Sequence, residues 1–568
     1  MKSKIYIRKR SVYEKNSKTM KTGLLFFAVT ILLKITGAFA QYGGETGPLT
    51  WNLNKNTGTL TISGVGEMPD YNVYYAPWYV ASDYFNTVII DTGVLSIGNR
   101  AFYGCDKFTS IIIPNSITRI GNEAFSYCMA LASIEIPNGV KTIGSKAFHA
   151  ATQLKTITIP GSLTSIGEFA FMYCNKLIAI DVEKENSMYA SENGVLFNKD
   201  KTSLICCPAA KTNNYIVPAG VTSIENYAFF SCVNLTSVAI PSTTKSIGAF
   251  AFSKCTSLAS ITTPDYLKSI EDEAFSFCEA LTAITIPNGV ERIASSCFMK
   301  CTALTSVIIP NGVTSVEKSA FDGCKELVVI TIPETVTTLG VRAFAACYNL
   351  SLITNLNPNP IAISPCVFSA HDLCLLPPMS HITLKVPNSA VALYQNANVW
   401  NRFDILGGGI LVNPLPNHIE YGYTTGNGLY ETDIVATVEA VTNLGCKFIN
   451  WTVDDVEVST NNLYSFTVTE NIKLVANFEN HAGMVEVRDA TSLQLYPNPT
   501  TGELRIRNED LEIRNVEIFD VFGRKLSSHH LISSSSHYLI NISHLNSGLY
   551  FLKITTGKGM VVKKVIKQ

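Results

Sequence analysis

The chain has 568 residues, 44 of them basic and 45 acidic, and a formal net charge of −1 at pH 7. Charged residues make up 16% of the chain, below the roughly 25% that is usual in globular proteins. The near-zero charge argues against nucleic acid or an anionic membrane as the main partner, and the length allows several domains.

The first forty residues have the pattern of an export signal. Basic residues precede Met20, an apolar run covers residues 24–33, and Ala38-Phe39-Ala40 is a small-x-small cleavage site. We therefore predict a signal peptide over residues 1–40, with translation starting at Met1 or at Met20. The apolar run is shorter than the about 20 residues that span a bilayer, and no later stretch approaches that length, so the mature chain is predicted to have no transmembrane segment.

Residues 41–87 do not repeat and are crowded with aromatic side chains. The set is Trp51, Tyr71, Tyr74, Tyr75, Trp78, Tyr79, Tyr84 and Phe85. Because the repeats that follow need their open apolar end covered, we predict that this segment is an N-terminal cap. The alternative is an aromatic platform for a sugar, with Trp51 and Trp78 as its contacts.

From residue 88 onward a phenylalanine recurs with a period of 23 residues. It occurs at Phe102, Phe125, Phe148 and Phe171, and again at Phe229, Phe252, Phe275, Phe298, Phe321 and Phe344. A fixed period of this length is typical of a solenoid, in which no repeat buries its apolar face alone and neighbours must stack. The spacing from Phe171 to Phe229 exceeds two periods by 12 residues (58 − 46), so we predict one interruption.

Each repeat is predicted to be a short strand, a turn, and a short helical or irregular turn. In residues 131–137, alternation places two isoleucines inside and Ser133 and Glu135 outside. The Pro-Asn-Gly sequence at residues 137–139 predicts a tight turn that uses a positive φ at glycine. The helical or irregular turn is predicted to drive the ring of Phe148 into the core.

Nine of the 15 cysteines occupy one slot of the repeat, three residues after the periodic phenylalanine. They are Cys105, Cys128, Cys174, Cys232, Cys255, Cys278, Cys301, Cys324 and Cys347, and Ala151 fills the slot once. Stacked turns lie about 4.8 Å apart, but equivalent side chains point the same way, so disulfides between them would need strained torsions. We predict buried thiols rather than a disulfide ladder or a metal site, and favour Cys366 with Cys374, outside the repeat, as the disulfide pair.

The repeat S-I-x-I-P-x-x-V-x-x-I-G-x-x-A-F-x-x-C over residues 88–354 resembles the BspA-type leucine-rich repeat family of bacterial surfaces. Residues 194–218 resemble the longer variant repeat of such arrays, and residues 384–403 resemble their last unit. The resemblance implies a mainly β leucine-rich-repeat solenoid over residues 88–406. It also implies adhesion or ligand binding by a curved sheet, without catalysis.

A second module follows Gly407-Gly408-Gly409, a joint that lacks the Gly-Lys-Ser/Thr ending of a phosphate loop. Residues 410–482 alternate apolar and polar side chains in short runs, which predicts a small β domain. Within them, the spacing of Gly445, Phe448 and Trp451 resembles the InlB B-repeat-like modules that serve as spacers on surface proteins.

The last module is residues 493–568, and short runs joined by Gly and Ser turns predict a small β-sandwich there. Its Leu-Tyr-Pro-Asn-Pro sequence from Leu495, its Gly548-Leu549-Tyr550 strand and its Lys-rich end resemble the C-terminal sorting domain of type IX secretion. The resemblance implies that the type IX secretion machinery is a partner and that the protein is secreted or held at the outer-membrane surface. Whether the domain is then removed and replaced by a lipid-linked anchor stays open.

The sequence contains no motif for a catalytic, cofactor-binding or metal site. His-Glu-x-x-His, Gly-x-Ser-x-Gly and Gly-Lys-Ser/Thr are all absent, and of nine histidines only His149 lies within the regular repeats. Glu135 and Asp181, the two acidic residues of the outward strand positions, stand two turns apart, roughly 10 Å, wider than the usual carboxylate pair of a glycosidase. We therefore expect a protein that is not an enzyme and needs no cofactor.

The outward strand positions are the candidate ligand face. The residues are Ser110, Ser133, Glu135, Thr156, Thr158, Ser237, Ser260, Thr262, Thr285, Ser306 and Thr331. We predict an adhesin-like protein that binds an extracellular host or matrix protein, or a glycan, through this face. The alternatives are a spacer that binds nothing and a carbohydrate-binding protein that uses the aromatic segment 41–87.

Overall fold

The structure is a computed structural model that describes residues 42–369, 379–443 and 446–480, and parts of the last module: 494–496, 503–507, 513–519, 525–530, 537–543, 545, 548–556 and 559–567. The predicted signal peptide and Cys374 lie outside these residues. The chain divides into two compact units, residues 1–258 with 271–279, and residues 259–270 with 280–568. Among the described residues, no helix is long and apolar enough to cross a membrane.

Among its described residues, the first unit is built almost entirely of short strands, with a 3-10 helix at Tyr79–Tyr84. The strands are β1 (Gly43–Thr46), β2 (Leu49–Asn54), β3 (Thr59–Gly64), β4 (Gly66–Glu67), β5 (Thr87–Ile90), β6 (Val94–Ile97), β7 (Ser110–Ile112), β8 (Arg119–Ile120), β9 (Thr142–Ile143), β10 (Thr156–Ile159), β11 (Ser165–Ile166), β12 (Ala179–Val182), β13 (Tyr189–Glu192), β14 (Val195–Asn198), β15 (Ser203–Cys206), β16 (Asn213–Ile216), β17 (Ser223–Ile224), β18 (Leu235–Ala239) and β19 (Ser246–Ile247).

The second unit is also mainly β, with α1 (Val391–Asn396) and 3-10 helices at Pro365–Val367, Asn388–Ala390 and Trp400–Arg402. The strands are β20 (Ser260–Thr262), β21 (Ser269–Ile270), β22 (Ala283–Thr285), β23 (Arg292–Ile293), β24 (Ser306–Ile308), β25 (Ser315–Val316), β26 (Val329–Ile332), β27 (Thr338–Leu339), β28 (Leu352–Asn355), β29 (Met379–Val386), β30 (Phe403–Gly407), β31 (Ile410–Pro416), β32 (Gly422–Thr425), β33 (Gly428–Tyr430), β34 (Val435–Thr442), β35 (Cys446–Val453), β36 (Val456–Ser459), β37 (Leu463–Thr467), β38 (Ile472–Asn480), β39 (Gln494–Tyr496), β40 (Glu503–Arg507), β41 (Ile513–Phe519), β42 (Lys525–His530), β43 (His537–Asn541), β44 (Gly548–Thr556) and β45 (Gly559–Lys567).

The aromatic segment before the repeats begins the first sheet of the solenoid. Strands β1, β2 and β3 pair in antiparallel order, and β3 then pairs in parallel with β5, the first strand of the stack. Trp51 and Trp78 are buried, and the ring of Trp78 stacks on Phe102 at 5.6 Å between centroids. The two tryptophans therefore cover the apolar end of the first turns, and the sugar platform that would need them exposed is not formed.

Each regular turn contributes to two parallel ladders. The longer strands pair in one ladder, as in β5 with β7, where Thr87 lies opposite Ser110. The two-residue strands pair in a second ladder, in the order β11-β9-β8-β6-β4, where Thr142 lies between Arg119 and Ser165. Parallel pairing between successive turns buries the inward side chains from one turn to the next, as stacked repeats require.

The third side of each turn is irregular rather than helical. In residues 98–105 the backbone N–H groups alternate between two kinds of acceptor. One set donates within the same turn, as Tyr103 N does to Arg100 O (3.2 Å), and the other set donates to the next turn, as Phe102 N does to Ala124 O (2.8 Å). Arg100 adopts a φ of 56°, which lets the chain reverse without a helix. This segment, which we call the turn ribbon, recurs in the following turns and forms a third link between them.

The periodic phenylalanines form columns in the core, as the period predicts. Neighbouring rings of Phe102, Phe125 and Phe148 lie 5.4 Å apart and within 9° of parallel. In the second unit, Phe298 and Phe321 stack in the same way at 5.3 Å. Burial of these rings contributes apolar contact between successive turns, together with the buried aliphatic side chains.

The Pro-Asn-Gly glycines do not have the positive φ that we predicted. Gly139, Gly289 and Gly312 lie outside the set of positive-φ residues. The structure shows another reason for glycine, because a Cβ at Gly139 would lie 2.1 Å from the carbonyl oxygen of Asn115 in the preceding turn. Glycine is needed here so that successive turns can approach closely.

Residues 132–136 also depart from prediction, because they do not form a strand. Their alternation is as expected, with Ile134 and Ile136 buried and Ser133 and Glu135 exposed. The hydrogen bond that would extend the ladder, from Ala132 N to Thr109 O, is 3.4 Å long. The segment therefore keeps the inward and outward faces of a strand without regular ladder bonds.

The predicted interruption is a set of antiparallel strands inserted between regular turns. Strand β14 pairs with β13 and β15, and β15 pairs in parallel with β17, where the regular stack resumes. The rings of Phe169 and Tyr227 lie 4.6 Å apart, so the turns before and after the insertion are in contact.

The cysteines of the repeat are buried thiols, which confirms the prediction. The Sγ of Cys128 donates to Phe102 O at 3.1 Å, and that of Cys174 donates to Phe148 O at 3.1 Å, so these thiols satisfy carbonyl groups inside the core. Burial raises the pKa of the Cys174 thiol to about 12. Cys366 is disulfide-bonded, and Cys374, the partner that we favoured, lies outside the described residues.

Two β modules follow the solenoid turns of the second unit. Strands β31 to β38 form sheets of five and three strands around a core that contains Trp451 and Phe478. Strands β39 to β45 form sheets of three and four strands with one shared core, which agrees with the predicted sandwich. The first module contacts the solenoid at one Pro-Asn-Gly turn, where Asn311 Nδ2 donates to Pro414 O at 3.2 Å and a Cβ at Gly312 would meet Ile419 at 2.7 Å.

Candidate ligand-binding surfaces

The strand face of the first unit brings several of the predicted residues into register. Thr156 lies opposite Ala179, and Thr158 lies opposite Asp181. Ser133, Glu135, Thr156 and Thr158 are exposed, whereas Ser110 and Ser237 are half-buried. Ile112, in the same outward row as Glu135 and Thr158, is 58% exposed. The face therefore mixes hydroxyl, carboxylate and aliphatic groups.

Hydroxyl groups elsewhere on the first unit are used to join turns. Thr118 Oγ1 donates to Leu95 O at 3.1 Å, and Thr164 Oγ1 donates to Lys141 O at 3.1 Å. In contrast, none of the side chains of Ser133, Thr156 and Thr158 has a hydrogen-bond partner among the described residues. Their donors and acceptors are available to a ligand.

The second unit has outward strand positions of its own, and these are more apolar. Ser306 lies between Ala283 and Val329, and Ile308 lies between Thr285 and Thr331. Ser306 and Ile308 are exposed, while Thr262, Thr285 and Thr331 are half-buried.

The assignment of Ser260 to the ligand face is wrong, because its side chain is only 5% exposed. Its position in the repeat is outward, but packing around that turn covers it.

The described residues contain no cluster of three or more His, Cys, Asp or Glu side chains that could hold a metal ion. His149 is half-buried, and burial, with a contribution from Lys146, lowers its pKa, so the imidazole is neutral at pH 7. It stands beside tyrosines, at 5.3 Å from the ring of Tyr127 and 5.4 Å from that of Tyr173.

Sequence reasoning missed a second surface of the first unit, which lies on the turn ribbon. A row of aromatic rings, which we call the aromatic ridge, consists of Tyr79, Tyr74, Tyr103, Tyr127, His149, Tyr173 and Phe230. From Tyr74 to Phe230 each centroid lies 5.3 or 5.4 Å from the next. The signal in the sequence is weak, because the ring is one residue after the core phenylalanine in some turns and two residues after it in others.

Comparison with known proteins agrees with this geometry. The family model for the BspA type leucine rich repeat region matches residues 79–197 and 211–371, in six copies. The solenoid is a BspA-type leucine-rich repeat region. The model for the divergent InlB B-repeat domain matches residues 417–482, and that for the secretion system C-terminal sorting domain matches residues 494–568. The protein is therefore a surface leucine-rich-repeat protein with a type IX secretion sorting tail.

Solved structures with similar chains are bacterial leucine-rich-repeat proteins. One from Eubacterium ventriosum is 29% identical, with 53% of this chain and 93% of that one covered and a TM-score of 0.45. The pneumococcal vaccine antigen PcpA is 20% identical, with 65% and 99% covered and a TM-score of 0.46. A protein from Bacteroides ovatus is 24% identical, with 64% and 99% covered and a TM-score of 0.41. No curated protein matches the chain.

Proposed function

We propose that the protein is an adhesin-like surface protein that binds an extracellular protein through the strand face of its leucine-rich repeats. The observation that carries this proposal is the contrast among hydroxyl groups on the first unit. Thr118 and Thr164 bond to the preceding turn, whereas the outward hydroxyls of Ser133, Thr156 and Thr158 lack partners among the described residues.

The composition of the face favours a protein ligand. Hydroxyl and carboxylate groups can hydrogen-bond to a partner's backbone and side chains, and the exposed Ile112 adds an apolar contact. Because the strand face carries little charge, its affinity for the ligand should depend little on salt concentration. The sorting tail supports a location outside the cell, where such a partner would be met.

The test is binding of the full chain to immobilised fibronectin, laminin, collagen and mucin, measured by biolayer interferometry. The double variant Thr156→Arg/Thr158→Arg places two bulky cations at the centre of the face. We expect at least a tenfold loss of affinity, about 1.4 kcal/mol.

Ser165→Arg is the matched control, because Ser165 is equally exposed but belongs to β11 of the second ladder. The control should bind as the natural chain does. If the natural chain binds none of these ligands, a spacer role replaces this proposal, and if only the glycans of mucin are bound, the ligand class is wrong.

A further inference from the structure

We propose that the aromatic ridge of the first unit is a binding site for a neutral glycan chain. The ridge is separate from the strand face, so this inference does not depend on the adhesin proposal. Its rings are Tyr79, Tyr74, Tyr103, Tyr127, His149, Tyr173 and Phe230.

The ridge is accessible along its length. Tyr74 is 49% exposed and Tyr127 is 37% exposed, and the other rings are half-buried. A ring that is packed on one side and open on the other presents an apolar surface with a polar tip to the solvent. Aromatic side chains of this kind are well suited to contact an amphipathic ligand.

The rings are also held in place before any ligand arrives. Tyr103 meets Tyr127 at 60° and Tyr173 meets Phe230 at 86°, the edge-to-face geometry that aromatic pairs prefer. At one end Tyr74 rests on Gly104, where a Cβ would lie 2.9 Å from the Tyr74 ring. A site that is already ordered loses little conformational entropy on binding.

Charged side chains of both signs lie beside the ridge, which favours a neutral ligand over a polyanion. Arg100 forms an ion pair with Glu123 at 2.9 Å. Lys254 Nζ donates to Tyr173 OH at 2.9 Å and lies 5.4 Å from the centroid of Phe230. Glu123 neutralises Arg100, whereas Lys254 donates to an uncharged phenol and keeps its charge, so the attraction for an anionic polymer or a membrane is that of a single surface cation and is weakened by salt.

The regular spacing of the aromatic rings along the ridge favours a polymer of similar repeating units as the ligand over a folded protein. From Tyr103 to Tyr173, each of four successive turns contributes one ring, so the contact surface repeats with the turns. A glycan repeats in the same way, and each sugar offers an apolar C–H face together with hydroxyl groups. The face can stack on a ring while the hydroxyls bond to the phenol groups at the exposed tips of the tyrosines.

The experiment measures binding of the full chain to soluble xylan, mannan and hydroxyethyl cellulose by affinity gel electrophoresis, with polygalacturonate as the anionic comparison. The main variant is Tyr103→Ala/Tyr127→Ala, and Tyr74→Ala is a second variant at the more exposed end. We expect at least one neutral polysaccharide to retard the natural chain. Each ring removed should weaken that binding up to about tenfold.

Two variants separate stacking from other effects. Tyr127→Phe keeps the ring and should change the affinity by no more than about twofold. Tyr75→Ala is the control, since Tyr75 is 61% exposed on the same unit but does not belong to the ridge. Thermal unfolding identifies any variant that is misfolded, in which case Tyr74→Ala decides the outcome.

Several results would overturn the inference. They are no retardation of the natural chain by any neutral polysaccharide, equal retardation of the ridge variants, and stronger, salt-sensitive retardation by polygalacturonate. Self-association in sedimentation velocity that the ridge variants abolish would make a second copy the occupant and would also overturn it. Thr156→Arg/Thr158→Arg should bind polysaccharide normally, which separates this site from the strand face.

Discussion

Removal of one core ring should destabilise the solenoid by an amount that depends on how many neighbours the ring has. Phe125 is fully buried between Phe102 and Phe148, each at 5.4 Å. Phe171 stacks on Phe148 at 5.8 Å, and among the described residues no second ring pairs with it. The two positions are equivalent in the repeat, so they form a matched pair.

The expected magnitudes follow from these contacts. Replacement of a buried phenylalanine by alanine costs about 3–5 kcal/mol, and one stacked pair contributes about 1 kcal/mol of this. We therefore expect Phe125→Ala to lower the local opening free energy by about 4 kcal/mol and Phe171→Ala by about 3 kcal/mol. Phe125→Leu, which fills much of the volume but loses both stacked pairs, should cost about 2 kcal/mol.

Native-state hydrogen exchange measured by mass spectrometry on the full chain is the appropriate assay, because it reports each turn separately. The amides to follow are Phe102 N and Phe125 N, which bond to Ala124 O and Ala147 O in the next turns. Equal losses for the two alanine variants would refute the idea that stacking between turns determines the cost. If protection against exchange were lost only in the mutated turn, the idea that neighbouring turns are coupled would be refuted.

Three further predictions concern the thiols, the turn glycines and the sorting tail. The Cys174 thiol has a pKa of about 12 when folded and 9.0 as the ordinary value, so the unfolded chain loses this proton first as pH rises. Urea unfolding should show stability falling by up to about 1.4 kcal/mol per pH unit above pH 9, and Cys174→Ala should reduce that slope. Gly139→Ala should cost about 1–3 kcal/mol in thermal unfolding, because its Cβ would clash with Asn115, whereas Asn138→Ala at an exposed neighbour should cost less than about 0.5 kcal/mol. A chain that ends before residue 494 should accumulate in the periplasm rather than at the surface or in the medium, as shown by immunoblots of cell fractions, and its presence outside the cell would contradict a sorting role.

The sequence predicted those features that recur at a fixed slot. The core column of Phe125 and the buried thiol of Cys128 follow from the period alone, because equivalent positions in a solenoid share one environment. For the inserted strands, the sequence predicts only the position and length of an interruption. Their structure does not follow, because periodicity carries no information about a segment that breaks it.

Other features depend on contacts between turns, which a single repeat does not reveal. Gly139 is required by a carbonyl group 24 residues earlier, at Asn115, and not by its own backbone angle. Ser260 is outward by alternation yet covered by its surroundings. The aromatic ridge was missed because its rings alternate between two slots, and only the geometry of the turn ribbon brings Tyr127 beside His149.

The turn ribbon also constrains how such a protein can change length in evolution. In one turn, the N–H groups of Arg100, Phe102 and Gly104 all donate to the next turn. A duplication or deletion that begins and ends at the same point of the repeat preserves every such bond. An insertion of part of a turn would leave several donors without acceptors, at roughly 1–3 kcal/mol each. Recombination between repeats is therefore expected to lengthen or shorten the array by whole turns, and each added turn can extend the ridge by one ring.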